Sequence, residues 1–320
     1  MPTTAATAFN GTAGSASNVG TYAINPSAVA LTAGAGANYR TPTYVNGTLT
    51  VTQAPLTIAV ADNGKFVFQT DAQVQASATQ ISPVVYSGFV NGDVLGALKS
   101  GSTLTEPTVA RATGVTAGTY NITASGASAT NYSITYQYTN TGNTASTFTI
   151  AGPYDLLIKA STNSIVYGTA NSSVTYGAPT ASYCTTCTGS ASVVNLTGSH
   201  TGNNWKFTDG LSIPGGVSFT LSSPYDSTNA AARNVGVYAV STSNVVPVTT
   251  TGAVNYNHVY SVDGLMTVTP LPIVVTATNA AKVYDGTNGV STATTVPAAT
   301  LANPSTCLTV TYSVADPLSM

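Results

Sequence analysis

Three stretches of the chain present the same signals in the same order. "GTYAI" (20–24), "GTYNI" (118–122) and "GVYAV" (236–240) are each followed by an Asn-Tyr pair, at Asn38-Tyr39, Asn131-Tyr132 and Asn255-Tyr256. A short alternating stretch comes next, "GTLTV" (47–51), "STFTI" (146–150) or "GLMTV" (264–268). Prolines close each series: Pro55, Pro153, and Pro270 with Pro272. Val51, Ile150 and Val268 then hold equivalent places, 99 and 118 residues apart. That interval is the size of a small β domain and far exceeds one turn of a solenoid. The chain is therefore expected to fold as a series of similar modules, and 320 residues already exceed what one hydrophobic core usually organises.

Local chemistry predicts what each module is made of. Leu49 and Val51 alternate with Thr48, Thr50 and Thr52, which places apolar residues on one face of a strand and hydroxyls on the other. Asn46-Gly47 and Asp263-Gly264 tolerate positive φ and read as tight hairpin turns ahead of that strand. Pro55 has no amide hydrogen for a ladder, so pairing is expected to stop there, and "LTIAV" starts a new strand with Leu56, Ile58 and Val60 on one side. No helical period is sustained anywhere. The expected fold is all-β: tandem β-sandwich-like modules, immunoglobulin-like or alternatively β-grasp-like, strung as beads. Residues 1–53 read as the C-terminal part of a truncated module and 54–152 as a full one. Residues 153–269 read as another with an insertion near 183–210, and 270–320 as the start of a fourth.

Charged residues make up 6% of the chain against 43% hydrophobic ones, so its surface must be made polar by hydroxyls and amides, and it has ample apolar surface to bury. The formal charge is −2 and the eight Lys and Arg residues are scattered, which excludes the basic stripe a nucleic-acid partner needs. No apolar run is long enough for a membrane-spanning helix. The first residues, "MPTTAATAFNGTAG", lack the basic and apolar regions of a signal peptide, so if the protein is exported, its export signal lies elsewhere. Three cysteines leave an odd count. Cys184 and Cys187, in "CTTC", lie in strand-and-turn surroundings that suit neither a redox helix nor zinc, and they read as a local disulfide or as two idle thiols.

With the repeat in view, the residues resemble a known family. "NYRTPTYVNGTLTVTQAPLTI" (38–58), "VVYSGFVNGD" (84–93) and "IVYG" (165–168) are similar to the MBG domains of large bacterial surface proteins. "ATNAAKVYDGTN" (277–288), with Tyr284, Asp285 and Gly286, resembles the YDG repeat found beside them. The resemblance implies repeat units of very long secreted adhesins of the filamentous-haemagglutinin-like, two-partner or autotransporter kind. It places this chain outside the cell, on the bacterial surface, in a protein that meets host or neighbouring-cell glycans or proteins. It supplies no catalytic residues. Two departures stand out: "ADNGKFVFQTD" (61–71) lacks the family's Tyr-Gly, and "TYGAPTASYCTTCTGS" (175–190) replaces the "SGFVNGD" region.

Candidate chemistry is sparse. One glutamate, Glu106, two histidines and nine aspartates, several of them beside glycine in turns, offer no pattern for acid–base or nucleophilic catalysis, and the chain is expected not to be an enzyme. Calcium at module junctions is the one metal worth considering, although the aspartates come singly in sequence and the expected cofactor list is empty. Tyr22, Tyr120 and Tyr238 recur at one repeat position and are expected to serve packing, in the manner of a tyrosine corner. Tyr39, Tyr132 and Tyr256, Gly47 and Gly264, and Pro55, Pro153 and Pro270 complete the structural signature. Trp205, in the non-repeated "GNNWKFTDG", is the candidate surface contact. An outer-membrane barrel also alternates, but would not restart every hundred residues with prolines at the joins. The expected role is a stalk that spaces a distal binding tip from the cell. The alternative is a glycan- or protein-binding module acting through loop insertions around Trp205.

Overall fold

The computed structural model describes residues 18–25, 43–98, 103–140, 142–209, 216–230, 232–247 and 256–272. Among these the protein is all-β, with three single 3-10 turns (Asp71–Gln73, Asn171–Ser173 and Ser190–Ser192) and no α-helix. Tyr39, Tyr284, Asp285 and Gly286 lie outside the described residues, as does the whole YDG-like stretch.

The first repeat contributes a two-stranded antiparallel ribbon, β1 (Gly20–Ile24) with β2 (Gly47–Val51). The second unit follows with β3 (Ala54–Val60), β4 (Asn63–Phe66), β5 (Val84–Ser87), β6 (Leu104–Thr105), β7 (Thr108–Arg111), β8 (Gly118–Ser125), β9 (Ser128–Ala129), β10 (Tyr132–Gln137) and β11 (Ser146–Ala151). They form one sheet in the order β10-β3-β5 and another in the order β4-β11-β8-β7, with a small β6-β9 ribbon. Val60 from the first sheet meets Val109, Ile122, Phe148 and Ile150 from the second in a common core, so the unit is a sandwich.

The third unit comprises β12 (Leu156–Lys159), β13 (Asn163–Val166), β14 (Thr180–Cys184), β15 (Val193–Asn195), β16 (Thr197–Thr201), β17 (Asn204–Thr208), β18 (Gly216–Ser222), β19 (Gly236–Pro247), β20 (Val259–Val262) and β21 (Gly264–Thr269). Its sheets run β15-β14-β12-β20 and β13-β21-β19-β18-β17-β16. Leu156, Ile158 and Tyr183 of one sheet pack on Phe219, Leu221, Val240 and Met266 of the other. Much of the stretch read as a loop insertion near 183–210 is therefore strand, because "NNWKFT" continues the alternation that extends the larger sheet.

The repeat seen in the sequence is kept residue for residue. Gly20 faces Val51, Gly118 faces Ile150 and Gly236 faces Val268, while Tyr22, Tyr120 and Tyr238 face Leu49, Phe148 and Met266. A second shared device is less usual. In unit two the opening strands β3 and β4 run parallel to the closing strands β10 and β11, and both pairs pass from one sheet to the other. Unit three does the same with β12 and β13 against β20 and β21. Chain entry beside Tyr132 and chain exit beside Phe66 consequently lie at opposite ends of the unit.

Two expectations about the junction phrase are corrected. None of Asn46, Gly47, Asp263 and Gly264 has positive φ. Asp263 is a corner at which the chain leaves one sheet for the other, and β20 does not pair with β21. Gly264 is needed there for close approach, since a Cβ on it would lie 2.4 Å from the Ser161 carbonyl oxygen. Gly47 simply opens β2 opposite Ile24. Pro55, expected to end pairing, sits inside β3 opposite Ser133. It is tolerated because β5 joins β3 only from Thr57 onward, so the missing amide faces no partner strand.

Candidate functional site

The three repeat tyrosines act as tethers. The hydroxyls of Tyr22, Tyr120 and Tyr238 donate to the carbonyls of Asn18 (2.6 Å), Thr116 (2.9 Å) and Asn234 (2.8 Å), each four residues upstream. Each ties the lead-in of a strand to its own side chain. Tyr238→Phe is expected to lower the stability of unit three by about 1 kcal/mol, the net worth of one such bond, as read from thermal unfolding. Tyr132 is buried and donates to Asp93 (2.7 Å), and Tyr256 packs edge-on against Tyr183.

Trp205 lies in β17. Its ring stacks on His200 across the strand pair at 4.4 Å and on Phe207 at 5.7 Å, and Phe207 continues the row to Phe219. With Pro179, Asn195 and Leu196 it borders a groove of about 340 Å³. The indole is thus partly committed to packing against the core of unit three.

The most heavily built place outside the two cores is the junction between units two and three. The linker from Gly152 to Asp155 is tied down at every step. Asp155 accepts the Gly152 amide (2.7 Å) and pairs with His258 (2.9 Å), while Asn257 Nδ2 donates to the Pro153 carbonyl (2.9 Å). Tyr154, at φ 58, donates its amide to Cys184 and accepts from Asn257. Cys184 and Cys187 form a disulfide beside it.

Two apolar patches flank the linker. Phe66, Phe68 and Ala151 of unit two pack on Leu157, Val262 and the disulfide of unit three. Ala59, Ala61 and Val85 pack on Val237 and Leu265. By the shared register, Val67 and Phe68 stand where unit three carries Tyr167 and Gly168, so the missing Tyr-Gly noted in the sequence supplies an aromatic ring to this contact. Polar ties cross the same surface: Gln137 Nε2 donates to the Val237 carbonyl (2.8 Å) and Lys159 donates to the Gly64 carbonyl. Burial lowers the Lys159 ammonium to about 8.

Between the patches two carboxylates come close. Asp62, at the corner between β3 and β4, accepts from the Thr147 amide (2.7 Å), the Thr139 hydroxyl and, across the junction, the Asp263 amide (3.3 Å). Asp263, at the corner between β20 and β21, accepts from Ser241 (2.6 Å). Burial raises both, and the charge of Asp62 adds to it at Asp263, which reaches about 6. Sequence reading saw these as isolated turn aspartates; only the fold joins them. Among the described residues no group of three or more His, Cys, Asp or Glu side chains is placed to hold a metal ion, and no helix is long and apolar enough to cross a membrane.

Sandwiches in tandem, each entered at one end and left at the other and joined through a fastened linker, define a modular repeat protein. Residues 56–144, nearly all of unit two, match the family model of the MBG domain (YGX type), a repeat domain of surface proteins. No curated protein matches the chain.

Proposed function

We propose that this chain is a stalk segment of a secreted bacterial cell-surface adhesin, whose modules hold a distal binding tip away from the cell. The observation that carries the reading is the parallel pairing of opening and closing strands in both units, which sends the chain in at one end and out at the other. Units built this way add length with each repeat, and the apolar junction fixes the angle between neighbours. The role is non-enzymatic and uses no cofactor, because geometry alone delivers it. Glycans or proteins of a host or neighbouring cell are met by the wider protein, outside the cell.

The test is a distance measurement between spin labels at Val115 in unit two and Val246 in unit three, both exposed, in a Cys307→Ser background. One narrow distance distribution is expected, broadening when Leu265→Asp puts a charge into the junction while both cores stay folded. A broad distribution in the parent protein would sink the stalk reading.

The groove beside Trp205 favours a second reading, a module that itself binds glycans or proteins. Trp205→Ala separates the two: lost binding to a glycan or cell-surface preparation at unchanged stability supports the module. Lost stability alone assigns Trp205 to the aromatic row.

A further inference from the structure

Asp62 and Asp263 bring two acidic side chains, from corners 201 residues apart, into the seam where two sandwiches meet. Each is flanked by apolar surface: Ala61, next to Asp62, and Leu265, two residues past Asp263, belong to one patch, and Val262, next to Asp263, to the other. The polar groups that face them come from both units. Thr139 and Thr147 face Asp62 from the approach to β11 and from β11 itself, and Ser241 faces Asp263 from β19. The cation of the seam, Lys159 on β12, donates to the Gly64 carbonyl. Asp155 and His258, at the linker, pair with each other. Hydroxyls and amides thus hold the two carboxyls in place.

We propose that the contact between Asp62 and Asp263 makes the seam a proton-operated clasp, tightened when one of the two carboxyls is protonated and loosened when both are ionised. Two like charges brought together in a desolvated seam repel, and protonating one of the carboxyls removes that repulsion. The sign follows from the direction of the shifts. Both carboxyls are raised in the folded protein, Asp263 to about 6, by burial first and, at Asp263, by the charge of Asp62 across the seam, and the part of the shift that comes from the neighbouring unit is lost when the units separate. The seam therefore gains stability as pH falls through about 6 and loses it as pH rises past that value. The stiffness of a segment built from such units would respond to mild acidity with no ligand at all.

The full chain tests this through amide hydrogen exchange at residue 263, whose N–H crosses the seam. After correction for intrinsic exchange, protection is expected to be on the order of tenfold higher at pH 5.0 than at pH 7.0, a range in which Lys159 stays charged. Asp263→Asn leaves every other titratable group in place and should abolish the difference. Asp62→Asn removes the opposing charge, should shrink the difference, and serves if the first variant fails to fold. Equal protection at the two pH values in the parent, or an undiminished difference in a variant that folds, overturns the clasp. So does a seam that calcium tightens at pH 7.0 and EDTA releases, because the carboxylates would then be cation ligands.

Discussion

Gly264→Ala should unfold unit three's closing corner, at a cost of about 3 kcal/mol or more. The added Cβ would lie 2.4 Å from the Ser161 carbonyl oxygen, 2.8 Å from its carbon and 3.0 Å from the Ala160 carbonyl oxygen. All three are backbone atoms, so no side chain can swing aside. Relief requires moving the corner between β12 and β13 away from the start of β21, which breaks the parallel ladders on both sides. The melting temperature of a unit this size should fall by roughly 10 °C or more. Gly236→Ala is the control: it is also a glycine of the repeat, but a Cβ there meets nothing within 4 Å, and its melting temperature should stay near that of the parent.

The second large effect is expected at Asp71. Its carboxylate accepts from Lys65 (2.7 Å) and from both Nε and Nη2 of Arg111 (2.9 and 3.1 Å). The two cations are almost sealed off, at 6% and 9% side-chain exposure, and the Arg111 guanidinium lies over the Phe148 ring in the core. A surface ion pair would contribute almost nothing. Here Asp71→Ala strips two buried charges of their shared partner, and a loss of about 3 kcal/mol follows, at the low end for buried pairs because Asp71 itself is 39% exposed. Denaturant unfolding of the variant checks the size.

Its pH dependence checks the cause. Burial alone would raise the Asp71 carboxyl, but the hydrogen bonds and charges of Arg111 and Lys65 outweigh it and hold the group below its ordinary value. A depressed carboxyl stabilises the fold above its unfolded value near 3.8, and that share is lost as pH falls through the lower folded value. Asp71→Ala should accordingly flatten the acid limb of the stability curve, opposite in sign to the seam carboxyls, whose protonation stabilises.

The sequence revealed the repeat well because its signals are local. A glycine, a tyrosine two residues on and an alternating strand all sit within one ladder, so equivalent positions chosen by eye fall opposite equivalent partners. Asp263-Gly264 misled because a glycine chosen for positive φ and one chosen for close backbone approach look the same in a string of letters. Pro55 misled because the width of a sheet at one residue depends on where another strand begins. The seam was not legible at all. Asp62 looks like any turn aspartate until the fold sets Asp263 against it, and the apolar residues of this contact, Ala59 in β3 and Ala61 just past its end, read as ordinary apolar positions.

The parallel course of first and last strands has a mechanical consequence. A tug applied to the two ends of unit two, at Ala54 and Ala151, runs along the β3–β10 and β4–β11 ladders and not across them. Hydrogen bonds loaded in shear must give way together, whereas bonds loaded like a zipper yield one at a time. A chain of such units would carry tension from one end to the other without unravelling, and each further repeat would lengthen it without adding a weaker link.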